Sequence, residues 1–151
     1  LTGFRREPYV DAHDSVPHEN AVSQLGFADE VLARIRERNG RYDERAYLFL
    51  LAALEHLQRR LPERRHVSGE ELAHGCREFA LEQYGLFSRI VLEHWGITCT
   101  ADFGEIVFTL IDAGLLKARE SDRIEDFEEV YAFSTAFETE YPWGAWRDGE
   151  E

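Results

Sequence analysis

The chain has no methionine, and only one of its 17 basic residues, Lys117, is lysine. The arginine bias reads as the coding preference of a GC-rich genome rather than as a mechanism. With only two cysteines, Cys76 and Cys99, no disulfide framework is expected. Both read as small apolar residues of a cytoplasmic protein. No apolar run approaches the roughly 18 residues that cross a bilayer. The start, LTGFRREPYV, lacks the apolar core of a signal peptide. Because Leu1 stands where a Met would, a segment before it stays open, a lost targeting segment included. There is no G-x-S-x-G elbow, no P-loop and no dinucleotide fingerprint; Gly104 and Gly114 are isolated.

What is present is the material of a folded domain. Apolar residues make up 44% and aromatics 13% of 151 residues, which suits one domain with one sizeable core and excludes a disordered chain. The net charge of −13 is unevenly placed. Residues 1–66 balance 11 Arg against 11 Asp and Glu, whereas residues 67–151 set 6 Lys and Arg against 19 Asp and Glu. The second part therefore carries the whole excess. It should repel nucleic acid and anionic membrane and attract a basic protein face.

Residues 1–26, with Pro8, Pro17, Gly3 and Gly26, read as an irregular arm. Phe27, Val31 and Ile35 share one face of a helix over 27–38, stopped by Asn39-Gly40. Asp43 opens a longer helix to about residue 60. Tyr47, Leu50, Leu51, Leu54 and Leu57 form its stripe, widened by Phe49, Ala52 and Ala53, and Pro62 ends it. Ser68 and Glu71 fit a capping box for a helix to Tyr84 that buries Leu72, Cys76, Phe79 and Ala80. After Gly85, a short helix over 86–95 turns Phe87, Ile90, Val91 and Trp95 inward. Thr100 caps a further helix over 102–113, with Phe103, Ile106, Val107, Leu110 and Ile111 inside. Leu115 to Arg119 predicts a strand, Glu120-Ser-Asp122 a turn, and Arg123 the start of a second strand.

The order over 68–127, three short helices and then a hairpin, is the outline of a winged-helix unit. The expected fold is mainly α: a compact helical domain over 27–133 with this winged-helix-like three-helix unit and a small C-terminal β-hairpin. An aromatic, acidic segment follows over 134–151. Phe127, Tyr131, Phe133, Phe137, Tyr141, Trp143 and Trp146 are too many aromatics for a free tail. They wrap the domain or dock on a partner.

Two stretches carry a family resemblance. RYDERAYLFLLAALEHL (41–57) is one. The other starts HVSGEELAHGCREFALEQYG and continues through LEHWGI, TADFGEIVFTLIDAGLL and DFEEVYAF (66–133). Together they resemble conserved hypothetical proteins described from planctomycetes and verrucomicrobia. The resemblance implies a compact, mostly helical domain and transfers no catalytic residue. The arm before Phe27 and the end after Phe137 lie outside it.

The residues bear on four function classes. A winged helix that reads DNA needs Arg or Lys for phosphates and donors for base edges. The helix in that position instead carries Asp102, Glu105 and Asp112. The arginine clusters, Arg34, Arg36, Arg38, Arg41 and Arg45, then Arg59, Arg60, Arg64 and Arg65, are the better nucleic-acid candidate. Acidic residues interleave them, so they also read as a solvated face or a dock for an acidic surface, the chain's own acidic half included. Two Glu-x-x-His pairs, Glu63/His66 and Glu71/His74, invite a di-metal reading, but Pro62 and the Ser68 cap place the first in a loop. His74, Cys76, His94 and Cys99 could supply a zinc site, although H-x-C and H-x4-C are not zinc-finger spacings. Cys99 with His94 as base is the one conceivable nucleophile pair.

The reading that joins these features is a cytoplasmic, non-catalytic accessory or adaptor subunit without a cofactor, bound to a protein partner in a larger assembly. Trp143, Trp146 and Tyr141 would anchor it, with Arg34, Arg38 and Arg41 steering the approach. A homo-oligomer is compatible with it. The alternatives are a small metal-binding enzyme or sensor built on the His and Cys residues, and a nucleic-acid-associated factor using the N-terminal arginines.

Overall fold

The computed structural model describes residues 29–139. They form five α-helices: α1 (Asp29–Arg38), α2 (Glu44–Arg60), α3 (Gly69–Tyr84), α4 (Ser88–His94) and α5 (Thr100–Asp112). A 3-10 turn, Gly85–Phe87, leads into α4, another spans Ile124–Phe127, and a π-turn covers Thr135–Thr139. No residue of the arm over 1–26, nor Tyr141, Trp143 or Trp146, is among those described.

Helix α2 is the centre. Its stripe buries Tyr47, Leu50, Leu51 and Leu54 with Phe49 and Ala53, packed against α3 and α5. Gly75 allows the close approach of α3, since a Cβ there would lie 3.3 Å from the Leu57 side chain. The Asp43 carboxylate accepts the Arg45 N–H at the start of α2 (2.9 Å). At the other end Gln58, buried within the core, grips the following loop twice. Its Nε2 donates to the Arg65 carbonyl (2.6 Å) and its Oε1 accepts the Arg65 N–H (3.1 Å).

The Ser68 capping box is present as expected. Ser68 Oγ accepts from Glu71 N (3.0 Å) and Glu71 Oε1 accepts from Ser68 N (2.8 Å). Helix α5 begins earlier than its sequence indicates. Cys99 holds the cap position, and the Asp102 carboxylate accepts the Cys99 N–H (3.2 Å). Thr100, expected as the cap, is in the first turn and accepts the Val130 N–H through its hydroxyl (3.2 Å).

The C-terminal β-hairpin is corrected: the described residues contain no β-strand. Backbone groups around the expected turn, from Arg119 to Arg123, are consumed locally. Asp122 N donates to the Arg119 carbonyl (3.0 Å), while its carboxylate accepts the Arg119 N–H (2.7 Å). Asp126 repeats the device on Arg123 N (3.0 Å) and starts the 3-10 turn. That turn drives Phe127 into a slot between Gly69 and Gly104, where added Cβ atoms would come within 2.9 and 3.0 Å of its ring. Burying a phenylalanine there outweighs pairing a short two-stranded ribbon, which is marginal alone.

Beyond Phe127 the chain wraps its own core. Phe133 and Phe137 are buried, with ring centroids 5.0 Å apart. The Tyr131 phenol donates to the Ala73 carbonyl of α3 (2.7 Å), and Arg77 Nε donates to the Ala136 carbonyl (3.1 Å).

Candidate interaction surface

The sequence pattern points Phe87 and Ile90 inward; the structure turns them out. Gly85 ends α3 with φ 55° and ψ −128°, a conformation that strongly favours glycine. The 3-10 turn that follows rotates the phase of α4. Its buried stripe is Ser88, Leu92 and Trp95, at i, i+4 and i+7. Leu86, Phe87 and Ile90 stand 61%, 60% and 66% exposed. The mount beneath them is fixed. Ser88 is fully buried, and its hydroxyl bonds the Ala80 (2.9 Å) and Gly85 (2.7 Å) carbonyls. Trp95 packs against Tyr84 and Phe49, with each pair of ring centroids 5.9 Å apart. Glu82, near the end of α3, and Glu93, on α4, are exposed. Glu82 lies 3.1 Å from His56 Nε2, and Arg89 bonds Glu93 (2.9 Å).

The three arginines assigned to steering all meet α5 or its end. Arg34 Nη1 donates to the Ala113 carbonyl (3.2 Å), and Arg38 pairs with Asp112. Arg41 reaches Asp102 (3.2 Å), its guanidinium 5.1 Å from the Tyr42 ring centroid. Arg60 pairs with Glu78 (3.4 Å) and Arg65 with Glu71 (2.9 Å). The arginine-rich part thus meets the chain's own acidic half. Tyr141, Trp143 and Trp146 lie outside the described residues.

Asp102 is the one buried charged side chain among the described residues. Besides Arg41, its carboxylate accepts the Tyr42 phenol, the Thr98 N–H (2.8 Å) and hydroxyl (3.2 Å) and the Cys99 N–H. Burial opposes its ionisation. The Tyr42 phenol, the Thr98 donors and the Arg41 guanidinium outweigh burial and hold its pKa below the usual carboxylate value. Burial, and then the Asp102 carboxylate, push the Tyr42 phenol up. The group locks the α1–α2 turn onto the start of α5. Elsewhere along α5, Glu105 accepts from Asn39 Nδ2 (3.3 Å). No residue of α5 before Asp112 is fully exposed; Ala101, Glu105 and Phe108 are half-buried along the face that ends in exposed Asp112.

The histidines and cysteines are dispersed. Cys76 is fully buried in α3, and burial pushes its thiol up. His74 is exposed, its ring 5.5 Å from that of Tyr131. His94 is exposed at the end of α4. Cys99 is exposed, and its thiol points to the Asp102 carboxylate (Sγ to Oδ2 3.6 Å). It borders an open hollow lined by Ala101, Glu128, Glu129 and Tyr131, among others, with no imidazole in the lining. Of the Glu-x-x-His pairs, Glu71 is held by the Ser68 cap and Arg65, and His66 bonds Asp122 (3.1 Å). Among the described residues no three His, Cys, Asp or Glu side chains gather as a metal site.

Fold and surface together define a small helical protein with a rigidly mounted apolar ridge on an acidic body. No helix of the described residues is long and apolar enough to cross a membrane. No family model, curated protein or solved structure matches the chain.

Proposed function

We propose that the protein is a cytoplasmic, non-catalytic accessory or adaptor subunit that docks on another protein within a larger assembly. The observation that carries this reading is the Leu86–Phe87–Ile90 ridge. Large apolar side chains held outward by a buried serine and a glycine turn cost solvation in the free protein, and contact with a partner removes that cost. Tyr141, Trp143 and Trp146 are part of the proposal as additional anchors. Arg34, Arg38 and Arg41 remain in the proposal as steering charges, and each also bonds α5 or the residue after it. Kinship with the planctomycete and verrucomicrobial proteins belongs to the same proposal; the motifs that carry it stop at Gly85 and resume at Leu92, on either side of the ridge.

The test is recovery of the tagged full chain from its own cells at low and moderate salt. A stoichiometric protein that stays through the salt step, and is lost with the Phe87→Ser/Ile90→Ser double variant, is the expected result. A lone protein at both salts overturns the adaptor reading.

A further inference from the structure

Between α1 and the start of α2 lies an open hollow of about 420 Å³, whose lining includes none of the ridge. We infer that this hollow binds a free apolar α-amino acid, with its carboxylate on Arg36 and its ammonium on Asp43. The inference does not depend on the adaptor reading.

The arginines supply the first argument. Of the five from Arg34 to Arg45, four are bonded: Arg34 to the Ala113 carbonyl, Arg38 to Asp112, Arg41 to Asp102 and Arg45 to Asp43. Arg36 bonds nothing among the described residues, and it lines the hollow. A guanidinium presents paired N–H donors that match a carboxylate.

The start of α2 supplies the opposite sign. Asp43 and Glu44 line the same hollow. The Arg45 side chain, and then its backbone N–H, hold the Asp43 carboxyl below its usual range, so it is charged at neutral pH. Asp43 accepts three bonds, all from Arg45: the backbone N–H (2.9 Å), Nε (3.0 Å) and Nη2 (3.2 Å). A carboxylate has about four acceptor sites, which leaves one for an ammonium. The two acidic residues work against phosphate, or any ligand that is only anionic. Either end of a peptide brings one of the two charges, whereas a free amino acid brings both.

The rest of the lining selects the side chain. Ile35 and Tyr47 are buried and Leu32 is half-buried. The Tyr47 phenol is spent on the Asn39 carbonyl (3.1 Å), and the Asn39 amide on Glu105 and the Arg41 N–H. With those polar groups met, the surface left suits an aliphatic or aromatic group. The volume lies toward the lower end of small-molecule sites, enough for one amino acid.

The experiment is isothermal titration of the full chain with leucine. Leucinamide, which lacks the carboxylate, and isocaproate, which lacks the ammonium, are the comparison ligands. One leucine per chain is expected, with a dissociation constant below about 1 mM. Each comparison ligand should bind at least about tenfold more weakly, because each loses one charge-assisted contact. Arg36→Gln should cost leucine about tenfold, while Arg38→Gln, the same charge change on the same helix outside the hollow, should leave binding within about twofold. Asp43→Asn keeps a good N-cap for α2 and should weaken leucine but not isocaproate. Circular dichroism confirms that each variant keeps its helices. Absence of saturable binding by the wild type overturns the inference. Leucine binding undiminished by Arg36→Gln, or equally weakened by Arg38→Gln, reduces the effect to general charge and overturns it too. So does leucinamide or isocaproate binding as tightly as leucine.

Discussion

Asp102 shows how a single side chain can matter more to the fold than its residue type announces. A buried carboxylate is costly unless its lone pairs are met. Here Tyr42, Thr98, Cys99 and Arg41 meet them, and in doing so they join the α1–α2 turn to the start of α5. Tyr42→Phe removes one donor and keeps the packing, and should lower unfolding stability by about 1–3 kcal/mol in denaturant titration. The pH dependence follows from the sign of the shifts. Asp102 is held below its ordinary pKa, and the Arg65 guanidinium, then the Ser68 N–H, bring Glu71 down to about 2. Carboxylates depressed in the folded state stabilise it above their unfolded pKa, near 4, and that stabilisation is lost as pH falls through the folded values. The melting temperature of the wild type should therefore drop between about pH 5 and pH 2. Asp102→Asn should start lower at neutral pH and drop less over the same range. A parallel loss in both proteins would show that Asp102 is not a source of the acid sensitivity.

At the scale of elements, the features legible in the sequence were those whose partners are local. The Ser68–Glu71 capping box spans one helical turn, and the apolar stripe of α2 repeats along one helix, so both could be read directly. Features set by distant partners were not legible. The phase of α4 depends on how Gly85 leaves α3 and on Ser88 finding the Ala80 carbonyl, so Phe87 and Ile90 looked like core while Leu92 went unnoticed. The hairpin failed because Asp122, read as part of the turn, and Asp126, beyond the start of the expected second strand, each close a local loop, and because Phe127 has a slot prepared by two glycines far apart in sequence. Gly104, isolated as a motif, has its reason there. Gly104→Ala should place a Cβ 3.0 Å from the Phe127 ring and 3.1 Å from the Ile124 carbonyl. The gain in helix propensity is smaller than the cost of overpacking, so a net loss of about 1–2 kcal/mol is expected in thermal or denaturant unfolding. A more stable Gly104→Ala variant would mean that the 3-10 turn is not seated against α5.

Over the whole molecule, the uneven charge of the sequence is partly resolved by folding. Arg38, Arg41, Arg60 and Arg65 from the balanced part pair with Asp112, Asp102, Glu78 and Glu71 from the acidic part. The sequence offered the chain's own acidic half as one dock for the arginines, and these four pairs are of that kind. Among the described residues, α4 with its preceding turn exposes the most apolar side chain, Leu86, Phe87 and Ile90. Buried Leu92 and Trp95 hold it to the core, and Phe87 and Ile90 face outward. The account therefore stands on the claim that this ridge is a docking surface. The most direct test compares the proteins that accompany the tagged wild type and the Phe87→Ser/Ile90→Ser variant from the same cells at moderate salt. The account predicts one stoichiometric partner with the wild type and its loss with the variant, at unchanged helical content. The same partner in equal amount with both proteins would contradict it.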